Sequence, residues 1–507
     1  MPNYRFSKLK LSTIKFFIAL GCSNIYSVSL HSQNWNVATG GNTLHNGLSN
    51  VYGPPTPTLL WSGGLTSQIA FAPVTDSIYL ATVRVTNISD HLHGNKIVMI
   101  DIRNGDTLWT KELPVSFPLT DWSNRVSAIR DGILYASRSG NSNSAYMYAL
   151  DALTGTILWQ SDSLVDESIN EGANFTPDGD LLIGNLFSIT RISAIDGSTV
   201  WETNRLGYQN GAELGVYGNK VYSIVDIANA VYISAYDILS GQLLYTSPPL
   251  TGGIVHQLGF FISNDGTIYV PHSQNNPTTD SLFSLTDNGS AFVKNWAVPI
   301  DFIPFSSGGT GPDGSIYSYD RNGRVMRIDP ANGMVIDTSK VILYGDAFQP
   351  RMSIDSAGRV FVTNGGFIDG MFYSFDADLT LRWEEVVPNV NVGGPAIGFE
   401  GTLIVCGIGN DLRAYKGEFA TTADENIFSD NYDLKIYPNP AKDILTIKGI
   451  FEETEIKIFE TSGKSILTGV LDKFENNIEI SSLPQGIYMV NLKTNSGTIT
   501  KRFVKLE

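Results

Sequence analysis

One short motif recurs along most of this chain: an Asp, a Gly four residues on, and a Trp four beyond that. "YALDALTGTILWQ" shows it with Asp151, Gly155 and Trp159. Two apolar runs flank a Thr-Gly turn. That is a hairpin pattern, because Gly supplies the positive φ of a tight turn and Asp hydrogen-bonds its own backbone across it. The motif returns in "MIDIRNGDTLWTK" (Asp101, Gly105, Trp109), "SAIDGSTVWET" (Asp196, Gly197, Trp201, read as a shortened turn) and "AYDILSGQLLYTS" (Asp237, Gly241, Tyr245). It returns again in "SLTDNGSAFVKNWAV" (Asp287, Gly289, Trp296), in "RIDPANGMVIDTS" (Asp329, Gly333, with Asp337 in the aromatic place) and in "SFDADLTLRWEE" (Asp376, Trp383, no Gly). Successive leading Asp residues lie between 41 (237−196) and 50 (151−101) positions apart. A strand-built period of about 40–50 residues is that of a β-propeller, one four-stranded blade per repeat.

Seven units end at these hairpins. An eighth, residues 393–419, has three strand patterns and no Trp strand after them. The missing strand is read at the other end of the chain, in "PTPTLLWSGGL" with Trp61. The expected fold is all-β: an eight-bladed propeller of four-stranded blades, its last blade closed by the N-terminal strand, plus a small C-terminal β-sandwich. Closure of this kind pairs an otherwise open edge.

The net charge of −16 disfavours nucleic acid and anionic membrane surfaces, which need a basic face. Lys8, Lys10 and Lys15 precede the apolar "FFIALG", the pattern of a secretory signal over residues 1–32. The apolar run is too short for a transmembrane span. Without that leader Cys406 is the one remaining cysteine, so no disulfide framework is possible; in "LIVCG" it reads as a small buried hydrophobe.

The Asp-x-x-x-Gly-x-x-x-Trp repeat resembles the pyrroloquinoline-quinone-type (quinoprotein alcohol dehydrogenase-like) propeller superfamily. The opening "WNVATGGNTLHNGLSNVYGP", with Trp35, Gly41, Asn42, Asn46, Gly47, Gly53 and Pro54, resembles the first segment of that family's non-enzymatic members. The resemblance covers about residues 34–419. It implies that Trp61, Trp109, Trp159, Trp201, Trp296 and Trp383 dock blades together.

After an acidic linker, residues 420–431, comes a second resemblance. "LKIYPNPAKDILTIKG", "LPQGIYMVNLKT" and the closing "GTITKRFVKLE" resemble the C-terminal sorting domain of the type IX secretion system of Bacteroidetes-type bacteria. It spans 432–507 and is carried by Tyr437, Pro438, Asn439, Pro440, Gly463, Gly486, Tyr488, Lys501 and Lys505. It implies partnership with the secretion machinery, export to the outer cell surface or medium, and removal of the segment afterwards. Residues 33–419 are then the propeller domain.

Catalysis has little support in the sequence. A quinone enzyme of this family carries adjacent cysteines under its cofactor, and none exist here. The repeated Asp residues sit at turns and bond locally. His91 and His93 in "DHLHGN" have no third ligand in view. No cofactor, metal or catalytic residue is assigned. Loops on a rigid frame carry function, so a glycan or peptide is expected at the propeller mouth. The candidate residues there are Trp122, Arg125, Glu171, Tyr208, Gln209, Glu213, His256, Gln257 and Arg351. The competing reading is a quinone-dependent dehydrogenase or carbohydrate-active enzyme using the central pocket.

Overall fold

The computed structural model describes most of residues 35–418 and 435–506. The loops 64–72, 167–172, 207–213, 251–259, 273–280, 300–307, 343–349, 391–393 and 407–411, and a few shorter breaks, lie outside the described residues. So do the expected leader (1–32) and the linker (420–431).

Eight four-stranded antiparallel sheets follow one another along residues 59–415. We number them as blades 1–8, each with strands one (inner) to four (outer). The inner strand Val74–Asp76 and the apolar second strand Leu181–Gly184 are buried at every residue. The outer strand Thr199–Asn204 alternates half-buried and exposed residues. Continuous apolar runs therefore mark strands covered on both faces, and alternation marks the rim.

The eighth blade is completed from the far end of the chain. Leu59–Gly63 pairs with Leu412–Tyr415, outside Leu403–Val405 and Ala396–Ile397. One apolar cluster joins Leu80 and Ile100 of blade 1, Phe361 and Trp383 of blade 7, and Ala396, Leu403 and Tyr415 of blade 8. Other clusters bridge each successive pair from blades 1 and 2 to blades 6 and 7. The ring is thereby continuous.

The docking of neighbouring blades follows a repeated geometry. In blade 2 the Gly155 N–H bonds the Asp151 carbonyl at 2.8 Å, and Gly155 has φ 68°. A Cβ there would lie 2.8 Å from the Trp109 ring of the preceding blade. The Trp109 Nε1–H donates to the Ala152 carbonyl at 2.8 Å. The glycine is thus required twice, by its backbone and by the indole lying on it. Trp61 on Gly105, Trp159 on Gly197, Trp201 on Gly241 and Trp296 on Gly333 repeat the contact. Their Nε1–H groups bond the carbonyls of Ile102, Ala194, Ile238 and Pro330.

This geometry corrects the third hairpin. The Gly197 N–H bonds the Ser193 carbonyl at 3.0 Å, so Ser193 holds the leading place and the turn is of ordinary length, not shortened. Asp196 instead accepts hydrogen bonds from the Ser198 N–H and hydroxyl.

The exceptions come in matched pairs across an interface. Blade 4 offers Tyr245 where others offer Trp, and blade 5 has its Gly two residues after Asp287. There Asp287 accepts from the Lys220 ammonium (2.7 Å), the Tyr222 hydroxyl (2.7 Å) and the Tyr245 hydroxyl (2.5 Å). Blade 6 offers Asp337, and blade 7 has Leu379 at positive φ in place of Gly. There the Tyr317 hydroxyl bonds the Ala377 carbonyl, the atom an indole would otherwise reach. Trp383 meets blade 8, which has no hairpin between its third and fourth strands. Its buried Nε1 has no partner among the described residues.

Asp287 makes the seam between blades 4 and 5 sensitive to acid. Burial alone would raise its pKa. The hydrogen bonds from Lys220, Tyr245, Tyr222 and the Gly289 N–H outweigh that and hold it below the usual carboxylate range. Its folded pKa is therefore depressed, so its stabilisation is present above the unfolded value, about 4, and is lost as pH falls below it. Asp287→Asn should cost about 1–3 kcal/mol at pH 7. In melts across pH 7 to 3 the gap between wild type and variant should shrink; a constant gap contradicts the assignment.

The C-terminal segment has seven strands in two sheets. Lys435–Tyr437, Ile444–Ile450 and Phe474–Glu479 form one; Ser465–Leu471, Thr454–Glu460, Gly486–Thr494 and Gly497–Lys505 form the other. Leu445, Ile447, Ile456, Ile458, Val490 and Phe503 fill its core. The Tyr437–Pro440 stretch anchors the last strand: the Asn439 side-chain oxygen accepts the Val504 N–H at 2.8 Å, and Ala441 exchanges backbone bonds with Val504 and Leu506. Tyr488 stacks on Phe503 at 5.5 Å, and its hydroxyl bonds the Pro484 carbonyl. Lys501 pairs with Val490 across the strands, and Gly486 with Lys505. Gly463 lies outside the described residues.

Candidate functional site

Antiparallel blades put the turns after strands one and three at one end of the ring, the hairpin face. The loops after strand two and the links to the next blade lie at the other end, the connection face. The free edge of each inner strand faces the axis and needs partners for its N–H groups.

Residues 35–53 supply them on the hairpin side. The carbonyls of Trp35, Asn36, Thr43, Leu44, Asn46 and Gly47 accept N–H groups of Thr75, Ile129, Val216, Ile262, Thr310 and Ile354, at 2.7–2.9 Å. Those donors belong to blades 1, 2, 4, 5, 6 and 7. Blade 3 adds its Asn174 side chain, bonded to the Thr43 carbonyl. Ile129 lies near the C-terminal end of Arg125–Arg130, and Ile354 ends Met352–Ile354, which sets the segment at the hairpin end. Asn46, wholly buried, donates to the Ile262 carbonyl and accepts from Asn42 and the Leu48 N–H. Gly41 lies against the Trp35 ring, where a Cβ would come within 2.3 Å. The glycines and asparagines of "GGNTLHNG" are thus explained by a segment crossing from blade to blade. It occupies the axis at the hairpin end, opposite the connection face.

On that face, the best-defined group of side chains lies over blades 1 and 2. Trp122 stacks on His91 with ring centroids 4.1 Å apart and planes 18° apart. His93 pairs with Glu112, whose carboxylate also meets Arg138 at 3.2 Å. Arg138 is 1% exposed and donates to the carbonyls of Leu92, Leu113 and Trp122, tying three loops together. Its burial pulls its pKa down, with Glu112 and Asp121 opposing. Phe117, stacked on Tyr146, and the fully exposed Leu119 add apolar surface. The two histidines thus diverge, one to an indole and one to a carboxylate. Glu112 is a neighbour of His93 that its sequence distance had hidden.

The other candidates fare differently. Arg125 opens the inner strand Arg125–Arg130 and Arg351 directly precedes Met352–Ile354; both are buried, not displayed on loops. They stand in blades 2 and 7. Glu171, Tyr208, Gln209, Glu213, His256 and Gln257 lie outside the described residues. Among the described residues, burial raises the pKa of Asp166 and lowers that of Arg205 to about 10. Cys406 is buried and its thiol is pushed up to about 12, the state of an inert core residue. Among the described residues no three His, Cys, Asp or Glu side chains gather as a metal site, and no helix is long and apolar enough to cross a membrane.

Comparison with known proteins bears on both domains. Residues 435–506 match the family model described as "Secretion system C-terminal sorting domain". No curated protein sequence matches the chain. Among solved structures, the C-terminal WD40 domain of Sif2 aligns over 71% of this chain and 97% of its own, at 11% identity and a TM-score of 0.50. PorZ, a surface component of the type IX secretion system of Porphyromonas gingivalis, aligns over 86% and 69%, at 13% identity and a TM-score of 0.40. The quinohemoprotein alcohol dehydrogenase of Comamonas testosteroni aligns over 93% and 80%, at 12% and 0.42.

Proposed function

We propose that this chain, a β-propeller sent to the cell surface or medium by a type IX sorting domain, is a binding or scaffold protein that takes an extracellular glycan or peptide on its connection face. The observation that supports this reading best is the segment 35–53, which occupies the axis at the hairpin end through bonds to seven blades. A ligand then meets the opposite face. There Trp122, Phe117 and Leu119 offer apolar contact beside the charged Glu112 and Arg138, the mixture typical of binding sites. Arg125 and Arg351 stand at the start of inner strands, and the candidates Glu171, Tyr208, Gln209, Glu213, His256 and Gln257 fall in the sequence between the outer strand of one blade and the inner strand of the next. In the same reading, residues 1–32 are a leader, 33–419 the propeller, 420–431 a linker and 432–507 the disposable sorting domain.

Glycan and peptide arrays probed with the full chain test this. A hit whose affinity drops about tenfold in Trp122→Ala, a change of about 1.4 kcal/mol, supports the site. Silence on both arrays, or hits indifferent to Trp122, counts against it. Stoichiometric uptake of pyrroloquinoline quinone with Ca²⁺, followed by dye-linked alcohol oxidation, would replace it with an enzyme.

A further inference from the structure

The seam between blades 6 and 7 lacks the indole that fills other seams, since Asp337 stands in its place and bonds Arg327. The outer strand of blade 6, Val335–Thr338, is four residues long where that of blade 5, Phe292–Pro299, has eight. A cavity of about 330 Å³ opens on this seam, lined by Lys340, Asp369, Met371, Tyr373 and Glu384. Lys340 follows the outer strand of blade 6, and Asp369 lies in the loop before the third strand of blade 7. The cavity therefore opens toward the connection face.

Its chemistry is that of a cation site. The Lys340 ammonium lies 5.2 Å from the centroid of the Tyr373 ring and pairs with the Glu384 carboxylate. Asp369 adds a second carboxylate, so the lining carries two negative groups against one positive. Met371 supplies a polarizable apolar wall for an alkyl stem. Aromatic face, thioether and carboxylates together are what a long basic side chain needs. Lys340 already fills that role from within the chain. It is held loosely, as its side chain is 42% exposed and that of Glu384 41%. Exposed pairs of this kind are weak and readily exchanged.

We propose that this seam is a recognition site for a lysine or arginine side chain of an extracellular polypeptide, and that Lys340 is its internal stand-in, displaced when the ligand enters. Tyr373 is 1% exposed, with the Lys340 ammonium over its ring, so the incoming stem lies along Met371 and meets that ring only in the place Lys340 leaves, while its charge meets Glu384 and Asp369. The net charge of −16 favours a basic partner. This deepens the proposed binding role by naming a ligand chemistry at one seam.

Calorimetry on the full chain tests it, with N-acetyl-lysine methylamide as the probe and N-acetyl-norleucine methylamide as its uncharged counterpart. Lys340→Ala should bind the lysine probe at least tenfold more tightly than wild type and should not gain for norleucine. Adding Glu384→Gln should erase the gain, with melting unchanged because both side chains are partly exposed. Equal affinity in wild type and Lys340→Ala, equal binding of the two probes, or binding of n-butylammonium without the lysine probe overturns the proposal. Array ligands that bind normally to Lys340→Ala/Glu384→Gln would leave the connection-face reading standing and remove only this one.

Discussion

Trp159→Ala should lower the unfolding free energy by about 3–5 kcal/mol, the cost of deleting a large buried aromatic. Trp159 is 8% exposed, packs on Tyr135 at 5.8 Å, lies on Gly197 and bonds the Ala194 carbonyl at 3.0 Å. Its loss opens a cavity between blades 2 and 3 and leaves a carbonyl without its donor. A ring transmits that loss to both neighbours, because no blade buries both faces unaided. Phenylalanine separates the two contributions. Trp159→Phe keeps an aromatic on Gly197 but gives up the hydrogen bond, worth about 0.5–1.5 kcal/mol. Trp383→Phe gives up no bond, because the Trp383 Nε1 has none to lose among the described residues; it should be less costly than Trp159→Phe. Denaturant titration reads all three. A Trp159→Ala variant within about 1 kcal/mol of wild type, below the range for such deletions, would show that the indole does not bind the blades together.

Removing residues 35–63 should have a larger effect: loss of a single cooperative melting transition. The deletion takes away the outer strand of blade 8 and with it Trp61, whose indole lies on Gly105 and bonds Ile102 of blade 1. It also removes the carbonyl acceptors of six inner-strand N–H groups on the axis. A buried donor left without a partner costs about 1–3 kcal/mol, so six of them alone rival the total stability of a typical domain. The ring would open between blades 8 and 1 and expose the unpaired edge of Leu412–Tyr415. Calorimetry should show a broad or split transition. Asn46→Ala provides a milder version, since it removes the side chain that ties Asn42, Leu48 and Ile262 together. An unchanged melt for the deletion would mean that the ring closes without its first strand.

Much of this was legible in the residues, and the misreadings are informative. The Trp–Gly spacing pointed to the hairpins, but the pairing between them runs from one unit's aromatic to the next unit's turn. Tyr245 with Asp287, and Asp337 with Leu379, look like unrelated lapses along the chain and prove to be two halves of altered seams. In the sequence Asp196 reads as the leading residue of its turn, because a carboxylate marks a turn more strongly than the Ser193 hydroxyl, while the backbone bond from Gly197 to Ser193 is indifferent to either side chain. Arg125 and Arg351 follow polar connections and so read as loop residues. The start of an inner strand buried them.

What the sequence alone determined is periodic and local: strands, turns, the repeat, the strand missing from the last unit and present at the start, and the sorting segment's motifs. Each depends on residues within a hairpin's reach, where backbone geometry and apolar alternation leave few choices. The tertiary structure decided that residues 35–53 bond to the inner strands of seven blades, that Arg125 and Arg351 are buried, and that Lys340 meets Tyr373 and Glu384. Those outcomes depend on carbonyls and side chains brought together across the ring from segments far apart in the chain, and no local pattern encodes which side chains meet there.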